Sequence, residues 1–134
     1  MRKKLIAANW KMYKTPKEAQ AFVSALLPHL WEHTRDEIVI CPPFVLIPAV
    51  VEATKDSGIG VGGQDMFWEK EGAYTGAISA EMLRTAGCSH VIIGHSERRQ
   101  YFAETDCLRG RSFAGARSRH YRRCAAAAMQ HRLP

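Results

Sequence analysis

Short apolar runs alternate with segments of helical periodicity along the first hundred residues, and this alternation constrains the fold more than any other feature. The runs are rich in β-branched and small residues, and none has the polar face of a strand that is exposed to solvent. We expect four strands, at residues 5–8, 38–41, 59–63 and 90–94. Because helical segments separate these strands, the order predicts an α/β fold in which helices cover a parallel sheet. Periodicity alone does not distinguish a closed barrel from an open, doubly wound sheet.

Capping residues mark where the helices begin. Thr15 and Glu18 have the spacing of a capping box, and the apolar residues that follow recur at helical spacing. Pro28 is expected to kink or end this first helix, because proline removes an intrahelical hydrogen bond. A second helix is expected over 45–55, and Ser79 is the expected N-cap of a third.

The basic charge of the chain is confined to its C-terminal tail. Residues 1–106 contain 12 Lys and Arg and 13 Asp and Glu, whereas residues 107–134 contain seven arginines and no acidic residue. This tail is rich in Arg and Ala and has no sustained helical or strand period. We interpret it as the product of a frameshift or a mis-joined end near Asp106, or as a disordered segment. The alternative, which we consider weaker, is an arginine-rich arm that binds the phosphates of a nucleic acid.

Cysteine usage and hydropathy indicate a cytoplasmic protein. The four cysteines are Cys41, Cys88, Cys107 and Cys124. They form no C-x-x-C pair, which favours reduced thiols over disulfides or a zinc site. The apolar part of the N-terminus stops at Asn9, too early for a signal peptide, and no apolar run approaches the length of a membrane span. The glycines of 58–63 lie within a strand, so they do not form a dinucleotide-binding fingerprint.

The fourth apolar run brings a histidine to the edge of the sheet where ligands of α/β proteins bind. The run ends at Gly94, His95 follows it, and Ser96 begins a polar segment that can start a helix. Lys11 follows the end of the first run, so it is expected at the same edge. The sequence therefore predicts that an imidazole and an ammonium group meet at one candidate site.

Five short motifs occur in order along the chain. They are Ala8-Asn9-Trp10-Lys11-Met12, Cys41-Pro42-Pro43, Gly63-Gln64-Asp65, Gly72-Ala73-Tyr74-Thr75-Gly76 and Gly94-His95-Ser96-Glu97-Arg98-Arg99. Together they resemble the N-terminal portion of the triosephosphate isomerase family over residues 1–106. The resemblance implies a (β/α)8 TIM barrel, of which this chain holds about the first four units. It also implies a homodimer that interconverts dihydroxyacetone phosphate and glyceraldehyde 3-phosphate through an enediolate, in glycolysis and gluconeogenesis, without cofactor or metal.

The same resemblance assigns roles to five residues. His95 matches the electrophile of the family, which is kept neutral by the helix N-terminus that it faces, a known property of that enzyme. Lys11 matches the lysine that offsets the negative charge of the substrate, and Asn9 matches a residue that binds substrate and orients this lysine. Glu97 matches a supporting acid near the lysine and the histidine. Thr75 matches the tip of the loop that enters the site of the partner subunit.

The chain departs from the family pattern in two ways. Ala77 stands where the family often has glutamate, which weakens the expected contacts of the loop. The general base of the family, a glutamate after the sixth strand, has no counterpart in this sequence, nor have the lid and the phosphate-binding loops, because a complete barrel takes about 250 residues. We therefore expect this chain alone to be inactive or nearly so. The alternatives are a non-enzymatic half-barrel that acts as an interaction fragment, and a nucleic-acid binder that uses the basic tail.

Overall fold

The structure, a computed structural model, describes residues 4–105. Four parallel strands form a single sheet in the order β1-β2-β3-β4, so each strand lies beside its neighbour in sequence. This consecutive strand order is that of the first half of a parallel barrel. The predicted parallel sheet is confirmed. The strands are β1 (Leu5–Asn9), β2 (Glu37–Cys41), β3 (Gly60–Gly63) and β4 (His90–Val91).

A helix follows each strand. A short 3₁₀ turn, Phe44–Leu46, precedes the second helix. The helices are α1 (Pro16–Leu30), α2 (Ile47–Ala53), α3 (Ala80–Thr85) and α4 (Ser96–Tyr101). The alternation predicted from the apolar runs is therefore confirmed over residues 4–105.

The predicted helix caps are present. Thr15 accepts a hydrogen bond from the backbone N–H of Glu18, whose carboxylate accepts one from the backbone N–H of Thr15 in return. Ser79 caps α3 through the N–H of Met82. The helix α1 continues past Pro28 and ends at Leu30, because a proline in the last turn removes a hydrogen bond only near the helix end.

Two predicted boundaries differ from the structure. The second helix is expected over 45–55, but the chain there forms the 3₁₀ turn and then the seven-residue α2. The fourth strand is expected over 90–94, but only His90–Val91 forms a ladder, followed by one bridging contact in which the N–H of Ile92 donates to Gly63. The apolar run reflects burial, and burial continues through Ile93 after the ladder has ended.

Alternate strand residues enter two separate apolar clusters, one on each face of the sheet. Val39, Cys41 and Ile92 form the cluster on one face. The larger cluster on the other face packs against the helices and includes Ala19, Val23, Ile40, Leu46, Ile47, Val50, Val61, Leu83, Val91 and Ile93. Burial on both faces explains why β2 and the run that follows His90 lack a polar side. The strand β1 lies at the edge of the sheet and is largely exposed, although its sequence is equally apolar.

Close packing of strands explains why β3 is rich in glycine. A Cβ atom at Gly62 would lie 2.8 Å from Cys41 Sγ and 3.2 Å from His90 Cβ. Any larger side chain at this position would push β2 and β4 away from β3. Glycine in β3 therefore contributes no side-chain packing but allows close contact with both neighbouring strands.

Within residues 4–105, no helix is long and apolar enough to cross a membrane. The predictions made for the basic tail, including the frameshift and the nucleic-acid-binding arm, concern residues outside the described part of the chain.

Candidate active site

The carboxyl ends of β1, β3 and β4 open into a cleft of about 560 Å³. The cleft contains four of the five residues that the sequence singled out, and its wall is a mixture of polar and aromatic side chains. Its lining residues are Asn9, Lys11, Met12, Tyr13, Phe44, Gln64, Asp65, His95, Glu97, Arg98, Tyr101 and Phe102. The fifth residue, Thr75, lies in the exposed loop between β3 and α3 and does not line this cleft.

An ion pair joins the first and fourth units of the barrel. Lys11 Nζ lies 2.5 Å from Glu97 Oε1, and both side chains are about half exposed. The hydrogen bond and the charge of Glu97 raise the pKa of Lys11. In turn, the hydrogen bond from Lys11 lowers the pKa of Glu97 despite partial burial. Lys11 is therefore a fixed cation across the neutral pH range.

The backbone of Lys11 is held in an unusual conformation. Its φ of 54° lies in the left-handed region, which a residue with a Cβ adopts at an energetic cost. Asn9 Oδ1 accepts a hydrogen bond of 3.0 Å from the N–H of Lys11, which fixes the turn directly after β1. Asn9 therefore orients Lys11 through its backbone.

Gln64 ties three strand ends together. It follows β3 directly, and its Nε2 atom donates hydrogen bonds of 2.8 Å to the carbonyl oxygens of both Lys11 and Cys41. Gln64 belongs to the motif Gly63-Gln64-Asp65, but its contacts with two strand ends were not predicted. The position of Gln64 directly after a buried strand, at the edge where the other site residues lie, is the sequence feature that could have identified it.

His95 is held as the N-cap of α4. Its Nδ1 atom accepts a hydrogen bond of 3.2 Å from the backbone N–H of Glu97. An imidazole nitrogen that accepts a hydrogen bond carries no proton, so the proton of the neutral ring resides on Nε2. The ring can then donate a hydrogen bond from Nε2 to an oxygen atom of a ligand.

A second ionic cluster supports the cleft from the side. Arg98 donates to Asp65 at 2.9 Å and also pairs with Glu104, and its guanidinium lies 4.7 Å from the ring of Phe102. Burial raises the pKa of Asp65 to about 6, although the charge of Arg98 opposes this rise. This cluster links the start of the β3–α3 loop to α4 and was not predicted from the sequence.

Two groups define the chemistry that the cleft can perform. A fixed ammonium group and an imidazole N–H can both stabilise negative charge on the oxygen atoms of a bound ligand. These two donors suit an anionic substrate whose oxygen atoms gain charge during reaction. Within residues 4–105, no group of three or more His, Cys, Asp or Glu side chains is placed to hold a metal ion.

Comparison with known proteins assigns the chain to a family. The family model described as triosephosphate isomerase matches residues 4–123. The triosephosphate isomerases of Moorella thermoacetica and Solibacter usitatus are 58% and 56% identical over 106 residues, which is 79% of this chain. That of Geobacter metallireducens is 58% identical over the same length. The matched region spans only 42–43% of the length of these relatives. Since both kinds of match cover most of the chain, the protein belongs to the triosephosphate isomerase family.

Proposed function

We propose that this chain carries the electrophilic part of a triosephosphate isomerase site, for the interconversion of dihydroxyacetone phosphate and glyceraldehyde 3-phosphate in glycolysis and gluconeogenesis. The observation that carries the proposal is the 2.5 Å ion pair between Lys11 and Glu97 beside the Nε2–H donor of His95. The family membership supports the same function. The chain spans less than half the length of the curated relatives that it matches. The activity and the substrate are therefore proposed for the whole protein.

The reaction needs stabilisation of an enediolate. A base removes a proton from the carbon beside the carbonyl, and the negative charge that develops on the carbonyl oxygen must be met by a donor. His95 donates from Nε2 to this oxygen. The ammonium group of Lys11 offsets the negative charge of the phosphate-bearing substrate. Asn9 holds the Lys11 backbone and presents its side chain to the same cleft.

The contact of His95 with the backbone leaves Nε2 as the hydrogen-bond donor of the ring. A charged imidazolium carries protons on both nitrogens, and it could no longer accept the hydrogen bond from the N–H of Glu97. A neutral donor of this kind is the role that the family resemblance assigns to His95.

We propose that the general base is not supplied by residues 1–106. Among the described residues, the carboxylate that pairs with Lys11 beside His95 is that of Glu97. Its lowered pKa makes it a weak base. The glutamate that serves as base in the family follows the sixth strand, and the sequence offers no counterpart. A positioned base contributes roughly 10²–10⁴ to the rate, so this chain alone is expected to turn over slowly.

We also propose that the complete protein is a cytoplasmic homodimer, as its family resemblance implies. The loop between β3 and α3 is exposed and carries Thr75 away from the cleft of its own chain. Exposed apolar side chains surround the cleft, among them Met12, Tyr13 and Phe102. A partner surface that receives the loop and covers these side chains accounts for both features.

We propose a boundary near residue 106. The curated relatives match 106 residues, although the family model extends its match to residue 123. The Arg- and Ala-rich composition begins at the same place. Sequencing of the coding DNA around codons 104–108 tests this proposal, and a single open frame that yields the present tail contradicts the frameshift interpretation.

Two measurements on the 134-residue chain test the proposed function. The first is turnover of dihydroxyacetone phosphate, which we expect at least about 100-fold below that of a complete relative. The second is NMR of the His95 ring and the Lys11 ammonium group during titration with dihydroxyacetone phosphate. We expect both signals to shift when the ligand binds. The shift of the His95 ring should disappear in Lys11→Met, and both shifts should persist in the control Lys17→Met, which removes an exposed lysine from α1.

The two measurements contradict different statements. Turnover within about 100-fold of a complete enzyme contradicts the statement that the base lies outside residues 1–106. The absence of shifts at His95 and Lys11 at saturating dihydroxyacetone phosphate contradicts the assignment of the site itself.

A further inference from the structure

The loop between β1 and α1 contains two lysines in the left-handed region. Lys11 has a φ of 54° and Lys14 a φ of 79°, and neither is a glycine. A residue with a Cβ adopts this conformation at an energetic cost, so the conformation persists only where surrounding contacts hold it. Polar contacts from Asn9 and Gln64 hold Lys11. The contacts that hold Lys14 are of another kind.

The ammonium group of Lys14 lies over two aromatic rings. Lys14 Nζ is 4.7 Å from the centroid of the Phe22 ring and 5.4 Å from that of Trp10. The two rings pack edge to face, with centroids 5.4 Å apart and planes at 84°. Both distances fall within the range of a cation–π interaction. One cation therefore contacts two rings that already contact each other.

The two rings come from opposite ends of the loop. Trp10 directly follows β1, is buried, and donates its backbone N–H to Cys41 of β2 at 3.0 Å. Phe22 lies on α1, one turn beyond the Thr15 capping box. Because Lys14 contacts both rings, it joins the fixed end of β1 to the fixed start of α1. Only Lys11, Met12 and Tyr13 lie between Trp10 and Lys14.

We propose that Lys14 is a positioning residue for the active site, because its contact with Trp10 and Phe22 holds the β1–α1 loop in the shape that brings Lys11 to Glu97. Lys14 touches neither substrate nor reacting atoms in this role. It acts through Lys11, whose backbone conformation and side-chain direction depend on the path of the loop. The link to catalysis rests on the proposed function, but the link between Lys14 and the Lys11–Glu97 pair does not.

Three variants separate the cation from the backbone. Lys14→Met keeps an unbranched side chain and the left-handed cost but removes the charge. Lys14→Arg keeps a cation that can lie over the rings. Lys14→Gly removes the cation and also relieves the backbone cost at φ 79°. Lys17→Met is the control, because it removes one positive charge from the first turn of α1.

The first readout is the titration of the Lys11 ammonium group, followed by ¹⁵N NMR of labelled lysine. Loss of a nearby positive charge, taken alone, raises the pKa of Lys11, because it reduces repulsion. Loosening of the pair with Glu97 lowers the pKa of Lys11 towards its ordinary value, since that pair is what raises it. The two effects have opposite signs, so the direction of the shift decides between them.

We expect Lys14→Met and Lys14→Gly to lower the pKa of Lys11, Lys14→Arg to leave it as in the parent chain, and Lys17→Met to leave it unchanged or slightly raised. The second readout is hydrogen exchange of the Lys11 amide, which donates to Asn9. We expect it to accelerate about two- to five-fold in Lys14→Met and Lys14→Gly, as loss of an exposed cation–π contact predicts. The Lys14→Arg variant restores the slower rate.

An unchanged or raised pKa of Lys11 in Lys14→Met, together with unchanged exchange of its amide, overturns the proposal. The same holds if Lys14→Gly tightens the Lys11–Glu97 pair, because Lys14 would then act only as a strained residue of the loop. A final measurement concerns the proposed function: affinity for dihydroxyacetone phosphate is expected to fall in Lys14→Met and to recover in Lys14→Arg. If the parent chain itself does not bind this ligand, the function fails while the two Lys11 readouts still decide the role of Lys14.

Discussion

Gln64 binds the carbonyl oxygen of Lys11 across the mouth of the barrel, through an Nε2–O hydrogen bond of 2.8 Å. The same nitrogen atom donates to Cys41 at the end of β2, also at 2.8 Å. One amide group therefore sets the positions of two strand ends relative to β3. This contact explains how a lysine can hold a left-handed backbone at the edge of the sheet.

Removal of the Gln64 amide is expected to destabilise the protein. Gln64→Leu removes the hydrogen bond to the carbonyl oxygen of Lys11 and one of the two to that of Cys41, which keeps the N–H of Trp10. The loss of two hydrogen bonds costs about 1–3 kcal/mol. Urea unfolding followed by circular dichroism measures the change. The control is Gln20→Leu on the exposed face of α1, where we expect a change below about 0.5 kcal/mol. Equal effects of the two substitutions contradict the role of Gln64.

The charge of Glu97 is expected to control the titration of Lys11. Glu97→Gln keeps the shape of the side chain but removes the carboxylate that raises the pKa of Lys11, so this pKa is expected to fall towards its ordinary value. ¹⁵N NMR of labelled lysine between pH 8 and 12 measures it. Glu71→Gln, a change in the exposed β3–α3 loop, serves as the control and should leave Lys11 unaffected. A Lys11 titration that is the same in Glu97→Gln and in the parent contradicts the observed ion pair.

Local signals in the sequence predicted the caps, the strands and the histidine. Thr15, Ser79 and the residues after Gly94 act through neighbours three or fewer positions away, so spacing along the chain is enough to recognise them. The runs of β2 and β4 were visible because residues enclosed on both faces of a sheet are apolar throughout. The family membership then confirmed the barrel class that the motifs suggested.

Contacts between distant segments were not predictable in the same way. The bond from Gln64 to Cys41 depends on the register of β2 against β3. The pair of Arg98 with Asp65 depends on where α4 meets the β3–α3 loop. The length of β4 was overestimated for a related reason. Hydropathy reports burial, whereas a ladder requires a partner strand in register, and the ladder of β4 ends at Val91.

The protonation of Asp65 is expected to make stability depend on pH. Burial raises the pKa of Asp65 in the folded state to about 6, above its ordinary value of 3.8. A folded-state pKa above the unfolded one means that the protonated carboxyl is the better-tolerated form. The contribution of protonated Asp65 to the free energy of unfolding is fully present below about pH 4 and is lost as the pH rises through about 6.

Asp65→Asn removes this titration and is therefore the test. Relative to the parent chain, the variant is expected to gain stability between pH 4 and pH 7, on the order of 2 kcal/mol. The comparison uses the change of the stability difference with pH, so any effect of the substitution that does not depend on pH cancels. The attraction between Arg98 and ionised Asp65 is already included in the pKa of Asp65. Glu69→Gln, at an exposed site, should show no such trend. A flat difference across this pH range, or a fall towards pH 7, contradicts the raised pKa.

Two glycines in the left-handed region allow the energetic cost of the backbone conformation to be measured separately from the cost of steric overlap. Gly58 and Gly87 have φ values of 74° and 95°, and both follow helices. A Cβ atom added at Gly58 meets nothing within 4 Å, whereas one added at Gly87 lies 2.8 Å and 3.0 Å from the two methyl groups of Val51. Because valine is branched at Cβ and stiff about χ1, Val51 cannot swing aside easily. An alanine at either position therefore has the cost of a left-handed backbone, but only an alanine at Gly87 also overlaps a neighbouring side chain.

Gly58→Ala is expected to destabilise the protein by about 1 kcal/mol, the cost of a left-handed alanine. Gly87→Ala carries the same cost and an overlap of about 1–3 kcal/mol, so its total is expected near 3 kcal/mol. Urea unfolding of both variants measures the difference. In a Val51→Ala background the overlap has no partner, so Gly87→Ala should then cost about as much as Gly58→Ala. If Gly87→Ala remains equally costly in that background, contact with Val51 is not what requires glycine at the end of α3.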